Sequence, residues 1–216
     1  LAMALDQNTN IDRYRISSIE PNLCTDEIIE FVAGSKKFMP HFHIPLQSGS
    51  NEILKSMQRR YKREVYASRV ALIKSCIPHA CIGVDVIVGF PGETDIHFQE
   101  TFDFLHSLEV SYFHVFTYSE RNNTTAIHLP GIVPLQTRRE RNEILRQLSE
   151  KKKHHFYHHH LDTTRPVLFE HDGDENHWAG FTDNYIRVHV NKSDVKPNEI
   201  KAVQLKEFDR KGDIRG

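Results

Sequence analysis

Over residues 1–160 the apolar positions switch repeatedly between period two and the helical period. RYRISSIE (13–20) reads as a strand, and a helix from Thr25 to Ala33 follows it, ended by Gly34. HFHIPLQ (41–47) is the next strand. SGSNEILKSMQ then opens a helix with Ile53, Leu54 and Met57 on one face. Another helix starts near Glu64, its stripe formed by Tyr66, Val70, Ile73 and Ile77. CIGVDVIVGF (81–90) is an almost unbroken apolar run, as in a strand buried on both faces. Thr94 caps a helix whose inner stripe is Phe98, Phe102, Leu105 and Leu108, and VSYFHVFTYS (110–119) is a fourth strand. This alternation predicts an α/β fold: βα units around a parallel sheet that forms an incomplete, TIM-like (β/α) barrel.

A long helix is expected from Pro134 to about Leu161, and beyond Asp162 the texture changes. RPVLFE, HWAGFTDN, YIRVHV and KAVQL alternate at period two, with turns at DGDEN and TDN. That is the pattern of a small antiparallel β-barrel domain. The expected division is 1–133 for the barrel part, 134–162 for a linker helix and 163–216 for the β-domain.

Strand parity adds chemistry. Ile82, Val84, Val86 and Val88 share one face of their strand, and Gly83, Asp85, Ile87 and Gly89 share the other. The β-branched face should pack on helices. The glycine-bearing face should line a roomy lumen and place Asp85 there, where an unpaired carboxylate is costly. Arg15, His41, His43 and His114 are its available partners.

Composition narrows the picture. The 216 residues carry 28 Lys+Arg against 29 Asp+Glu, so a globally basic coat is excluded although a local basic patch is not. No apolar run reaches the length of a membrane span, and the first residues have no basic, then apolar, secretion signal. Cys24, Cys76 and Cys81 are too few for a disulfide framework, which points to the reducing cytoplasm. Neutrality conceals a basic helix: residues 136–153 hold seven Lys+Arg against three Glu, a local +4. Lys151, Lys152 and Lys153 close that run and are candidates for RNA phosphates. Phe181, Tyr185 and Arg187 are candidates for stacking on bases. The segment 164–216 as a whole, with nine Lys+Arg and ten Asp+Glu, is not basic.

Ligands of a parallel barrel gather at the carboxy-terminal ends of its strands. Here those ends are Ser17–Pro21, Gln47-Ser48-Gly49-Ser50 and Gly89-Phe90-Pro91-Gly92-Glu93. Gly49 and Gly92 would let a ligand approach the backbone, and Ser-Gly-Ser entering a helix suits an anionic group. His41-x-His43 with Asp85 and His114 also has the look of a metal constellation in a barrel hydrolase.

RISSIEP (15–21), HIPLQSGS (43–50) with Met57-Gln58-Arg59-Arg60-Tyr61, GVDVIVGFPGET (83–94) and FTYSERNNTTA (116–126) resemble successive motifs of the radical S-adenosylmethionine methylthiotransferases. The helix and β-domain that follow resemble that family's linker and its RNA-binding TRAM domain. RISSIEP is most similar to the branch acting on threonylcarbamoyladenosine beside the tRNA anticodon. The resemblance implies an enzyme in which a [4Fe-4S] cluster cleaves S-adenosylmethionine and a methylthio group is added to C2 of the modified adenosine. It implies cofactor contacts from Glu20, Gln47, Ser48, Gly49, Ser50, Asp85, Gly89, Tyr118 and Ser119, and a substrate contact from Arg121. Asn122 and Asn123 stand where the family usually shows Pro-Gly.

The family's C-x-x-x-C-x-x-C is not in the sequence, and none of the three cysteines matches it. The chain therefore reads as the carboxy-terminal part of a longer enzyme, with tRNA and a missing amino-terminal half as partners, and inactive alone. Two other readings stand beside it: a stand-alone RNA-binding module, and a metal-dependent hydrolase using His41, His43, Asp85 and His114. An incomplete barrel also leaves an open edge at 13–20, through which self-association is expected.

Overall fold

The computed structural model describes residues 1–122 and 124–216, so the expectation about Asn123 lies outside the described residues. Among the described residues, six α-helices and ten strands follow one another. The first part contains α1 (Ala2–Asn8), β1 (Tyr14–Ile16), α2 (Asp26–Gly34), β2 (Phe38–His43), α3 (Asn51–Ser56), α4 (Arg63–Cys76), β3 (Cys81–Val88), α5 (Asp95–Ser107) and β4 (Tyr112–Thr117). The long helix α6 (Leu135–His158) then leads to β5 (Thr164–Gly173), β6 (His177–Thr182), β7 (Arg187–Asn191), β8 (Ile200–Gln204), β9 (Glu207–Phe208) and β10 (Ile214–Arg215).

Strands β1 to β4 form one sheet in sequence order, every pair parallel. The parity expectation holds. Ile82, Val84, Val86 and Val88 are fully buried and share a core with Ile29, Tyr66, Ile73, Leu105 and Leu145 from the helices. β2 is displaced from the expected 41–47: it begins at Phe38 and ends at His43. Pro45 has no amide to donate, and Gln47 takes a left-handed φ of 70°. Past His43 the Ile44 and Leu46 amides still donate to the Gly83 and Asp85 carbonyls, and Gln47 pairs with Val86 as an isolated bridge.

Helix α6 is held on β4 by polar as well as apolar contacts. The Ser149 hydroxyl accepts from the Phe113 amide at 2.7 Å and donates to its carbonyl at 3.1 Å. Asn142 donates to the Val115 carbonyl. The final strands form a second sheet in the order β8-β5-β6-β7-β10-β9. It is mixed rather than purely antiparallel, because β10 returns alongside β7 in parallel. Its core joins Val167, Phe169, Ile186 and Val188 to Phe156 and Tyr157 at the end of α6.

Candidate functional site

The inner face of the parallel sheet carries His41 and His43 on β2, Asp85 on β3 and Tyr112 and His114 on β4, with Asp85 in register with His114. Its two halves differ. Around His41 the second sheet covers it: Tyr185 packs on the His41 ring at 4.5 Å, and the Tyr112 hydroxyl lies 3.1 Å from His41 Nε2. Burial, reinforced by Arg15, lowers the His41 pKa to about 3, so the ring is neutral. Around Asp85 the face is open. His43 and Asp85 are half-buried, His114 is exposed, and Phe116 beyond them is 52% exposed.

Asp85 takes His43 from its four available partners. His43 Nε2 lies 2.9 Å from Asp85 Oδ1, and His43 Nδ1 lies 2.7 Å from the Ser17 carbonyl oxygen. Both neighbours are acceptors, which favours the doubly protonated ring, and the bond to Asp85 raises the His43 pKa. The room expected beside Gly83 is occupied. A Cβ there would lie 2.5 Å from the Tyr112 ring, so the glycine makes space for an aromatic side chain rather than a ligand.

The strand ends come together at one rim, with donors used differently from the sequence expectation. Gly49 is pressed against α5, where a Cβ would come within 2.6 Å of Thr101 Cα. The Gly49 amide donates to Thr101 Oγ1 and the Ser50 amide to Ser48 Oγ, so these amides are not free for an anion. What remains at this rim are two buried hydroxyls, Ser50 Oγ and Tyr118 Oη, without partners among the described residues. Space is open beyond Gly92. Glu20 reaches Arg59 at 3.5 Å, and Ser119 is exposed. The Gly89 amide donates to Glu93 Oε1 at 2.8 Å, and that buried carboxylate is held by Arg141 at 2.7 Å. Burial pushes the Glu93 pKa up, with the Gly89 bond and Arg141 opposing it.

Arg138 and Arg141, counted in the basic run, are thus buried structural clamps. Arg138 donates to the Val133 and Tyr118 carbonyls and pairs with Glu120 at 2.6 Å. Lys152 donates to the His106 and Leu108 carbonyls, and Lys153 lies 3.2 Å from Asp213. Lys151 and Arg121 remain exposed. Phe181 and Tyr185 stack at 4.5 Å, with Arg15 4.2 Å above Tyr185 and Arg187 5.7 Å from Phe181. A cleft of about 300 Å³ joins this stack to His114, with Lys153 and Tyr157 also lining it. Tyr112, absent from the sequence expectation, belongs to this site; it is an aromatic paired in register with Gly83. A second cavity of about 710 Å³ lies on the α3–α4 connection around Arg59, Arg60 and Tyr61 and shares no residue with the inner face.

Of the metal quartet, the structure brings three together. His43, Asp85 and His114 offer ligand atoms all within 4.8 Å of one another, whereas His41 is engaged with Tyr112 and Tyr185.

A parallel sheet with helices on one face and polar strand ends is the architecture of an α/β enzyme core. The solved coproporphyrinogen III oxidase of Escherichia coli, a radical SAM enzyme, shares this fold with a TM-score of 0.55 at 14% identity, over 65% of this chain and 32% of that one. The Radical SAM superfamily model matches residues 2–105. The threonylcarbamoyladenosine tRNA methylthiotransferase MtaB of Bacillus subtilis is 40% identical over 182 residues, covering 82% of this chain and 40% of the relative. MtaB of Aquifex aeolicus is 43% identical over 65% of this chain and 34% of its own length. The tRNA-2-methylthio-N(6)-dimethylallyladenosine synthase of Pelotomaculum thermopropionicum is 37% identical over 84% of this chain and 40% of its own length. The chain belongs to the radical S-adenosylmethionine methylthiotransferase family. It spans about two fifths of the length of these curated relatives or less. No helix among the described residues is long and apolar enough to cross a membrane.

Proposed function

We propose that this chain is the S-adenosylmethionine-facing and RNA-facing part of an enzyme that adds a methylthio group to C2 of N6-threonylcarbamoyladenosine near the tRNA anticodon. The observation that carries this reading is the cleft leading from the Phe181–Tyr185 stack to the inner face at His114. A base resting on that stack would lie at the mouth of the cleft that reaches His114. The names of the Bacillus and Aquifex relatives and the RISSIEP segment favour this modified base over its isopentenyl counterpart.

The rim fits S-adenosylmethionine, since Ser50 Oγ and Tyr118 Oη are buried hydroxyls lacking a partner among the described residues. Ser50 and Tyr118 would bind it there, beside Glu20, Gln47, Ser48, Gly49, Asp85, Gly89 and Ser119. When bound at a reduced cluster, that cofactor supplies a carbon radical for hydrogen abstraction. The cysteines of this chain do not fit the cluster. Cys24 and Cys81 are buried, with thiol pKa values pushed up by burial to about 11 and about 12, which disfavours the thiolate a cluster needs. The cluster ligands are assigned to the amino-terminal half, so this chain alone is inactive and its own residues bind and orient. The second sheet, in the role of a TRAM-like unit with Lys151 and Arg121, holds the RNA backbone.

Titration of the chain with a tRNA anticodon stem–loop and, separately, with S-adenosylmethionine tests this. Binding of both is expected, with RNA affinity falling as salt rises. Tyr185→Ala should weaken the RNA complex about tenfold or more, because it removes the ring on which Phe181 is stacked. Absence of binding to either ligand overturns the reading.

A further inference from the structure

We infer that His43, Asp85 and His114 form a binding site for a divalent first-row transition-metal ion on the open half of the inner face. Their ligand atoms come from three adjacent parallel strands and lie within 4.8 Å of one another. Two imidazoles and one carboxylate are a donor set of the Zn²⁺ and Fe²⁺ class, and three protein ligands leave positions open for an exogenous group. Two ligands about 2.1 Å from a tetrahedral ion stand roughly 3.4 Å apart, so modest side-chain rotation closes the set. His114 is exposed and free to make that movement.

The ring of His43 is already oriented as a ligand. Its Nδ1 faces the Ser17 carbonyl at 2.7 Å, and that hydrogen bond fixes the Nδ1–H tautomer and directs Nε2 at Asp85. A ligating histidine characteristically gives its other N–H to such a carbonyl. A metal ion would replace the Nε2 proton between His43 and Asp85 and keep the Ser17 bond. Two neighbours that could spoil the site are occupied elsewhere: the Arg15 guanidinium sits over the Tyr185 ring at 4.2 Å, and His41 bonds Tyr112. Ile87 and Phe116, paired one inward-facing step further along β3 and β4, supply an apolar wall beside the open positions. The site shares Asp85 with the residues proposed to lie beside S-adenosylmethionine, but it does not rest on that reading, and metal binding is measured without RNA or that cofactor.

Co²⁺ is the probe, read by its visible d–d absorption and by equilibrium dialysis. Helix α6 carries a competing chelator, the His155 and His159 rings 4.2 Å apart, so the background protein carries His155→Ala and His159→Ala. That background is expected to bind Co²⁺ with a low-coordinate spectrum that Zn²⁺ abolishes. Adding His114→Ala, or separately the isosteric Asp85→Asn, should remove one equivalent of Co²⁺ and its spectrum while far-ultraviolet circular dichroism stays unchanged. Stoichiometry and spectrum identical with and without these substitutions in folded protein, or no Co²⁺ bound by the background, would overturn the inference.

Discussion

The two faces of the parallel sheet are built from alternate residues of the same strands and have different fates. The outer face, Ile82, Val84, Val86 and Val88 with Phe42, Ile44 and Phe113, is closed by the chain's own helices. The inner face carries histidines, a carboxylate and tyrosines, and the second sheet covers only the half around His41. The difference separates stability from chemistry. Apolar positions close on any apolar partner of the right volume, whereas each buried polar group needs its own acceptor or donor.

The largest expected effect is in the helix layer. Arg141→Ala leaves the Glu93 carboxylate buried without its cation, and should destabilise the protein by about 3–5 kcal/mol in urea unfolding. Val86→Ala, on the outer face, should cost about 2 kcal/mol in the same measurement, from lost burial and the cavity left behind.

Acid should act through buried histidines, His41 in the covered half and His160 just past α6. His41 is held neutral by burial and Arg15, and His160, whose Nε2 accepts from Asn184, is held neutral by burial. Their folded pKa values lie below the unfolded one, so this stability is present above the unfolded pKa of about 6.5 and is lost as pH falls toward the folded values. Between pH 7 and pH 5, His41 alone should cost about 2 kcal/mol, read from thermal or urea unfolding against pH. His43 has the opposite sign. Its pKa is raised, so its contribution is present below the unfolded pKa and is lost as pH rises through the folded one.

The open half should tolerate change best. Asp85→Asn should alter stability by less than about 1 kcal/mol, because the pair it breaks is partly solvated, while the His43 pKa measured by NMR drops. A stability loss as large as that of Val86→Ala would erase the distinction between the faces. Smallest is the effect of the open edge. β1 has only three residues, so self-association through it should be weak and concentration-dependent in analytical ultracentrifugation.

Much of this was legible in the chain. Period-two alternation in CIGVDVIVGF fixed which side of β3 faces the helices, because a strand must put successive side chains on opposite faces. The same reading placed Asp85 inward with Arg15, His41, His43 and His114 as its possible partners. It left open which one Asp85 would take, because four candidates on three strands differ in register and neighbours, which the sequence does not carry. Nor did the +4 of the long helix reveal that Arg138 and Arg141 are buried clamps and that Lys152 and Lys153 already have partners. Charge is additive along the sequence; its partners are settled by packing.

The sequence by itself determined the order of the first four strands and their helices, the parity of β3 and the residues available at the strand ends. Local sterics and burial of apolar periodicity are enough for that. Only the tertiary structure decided that Tyr112 fills the space beside Gly83, that the Gly49 and Ser50 amides turn inward, and that Tyr185 caps one half of the inner face. Those outcomes depend on distances between segments far apart in the chain, and a few tenths of an ångström separate a hydrogen bond from a clash.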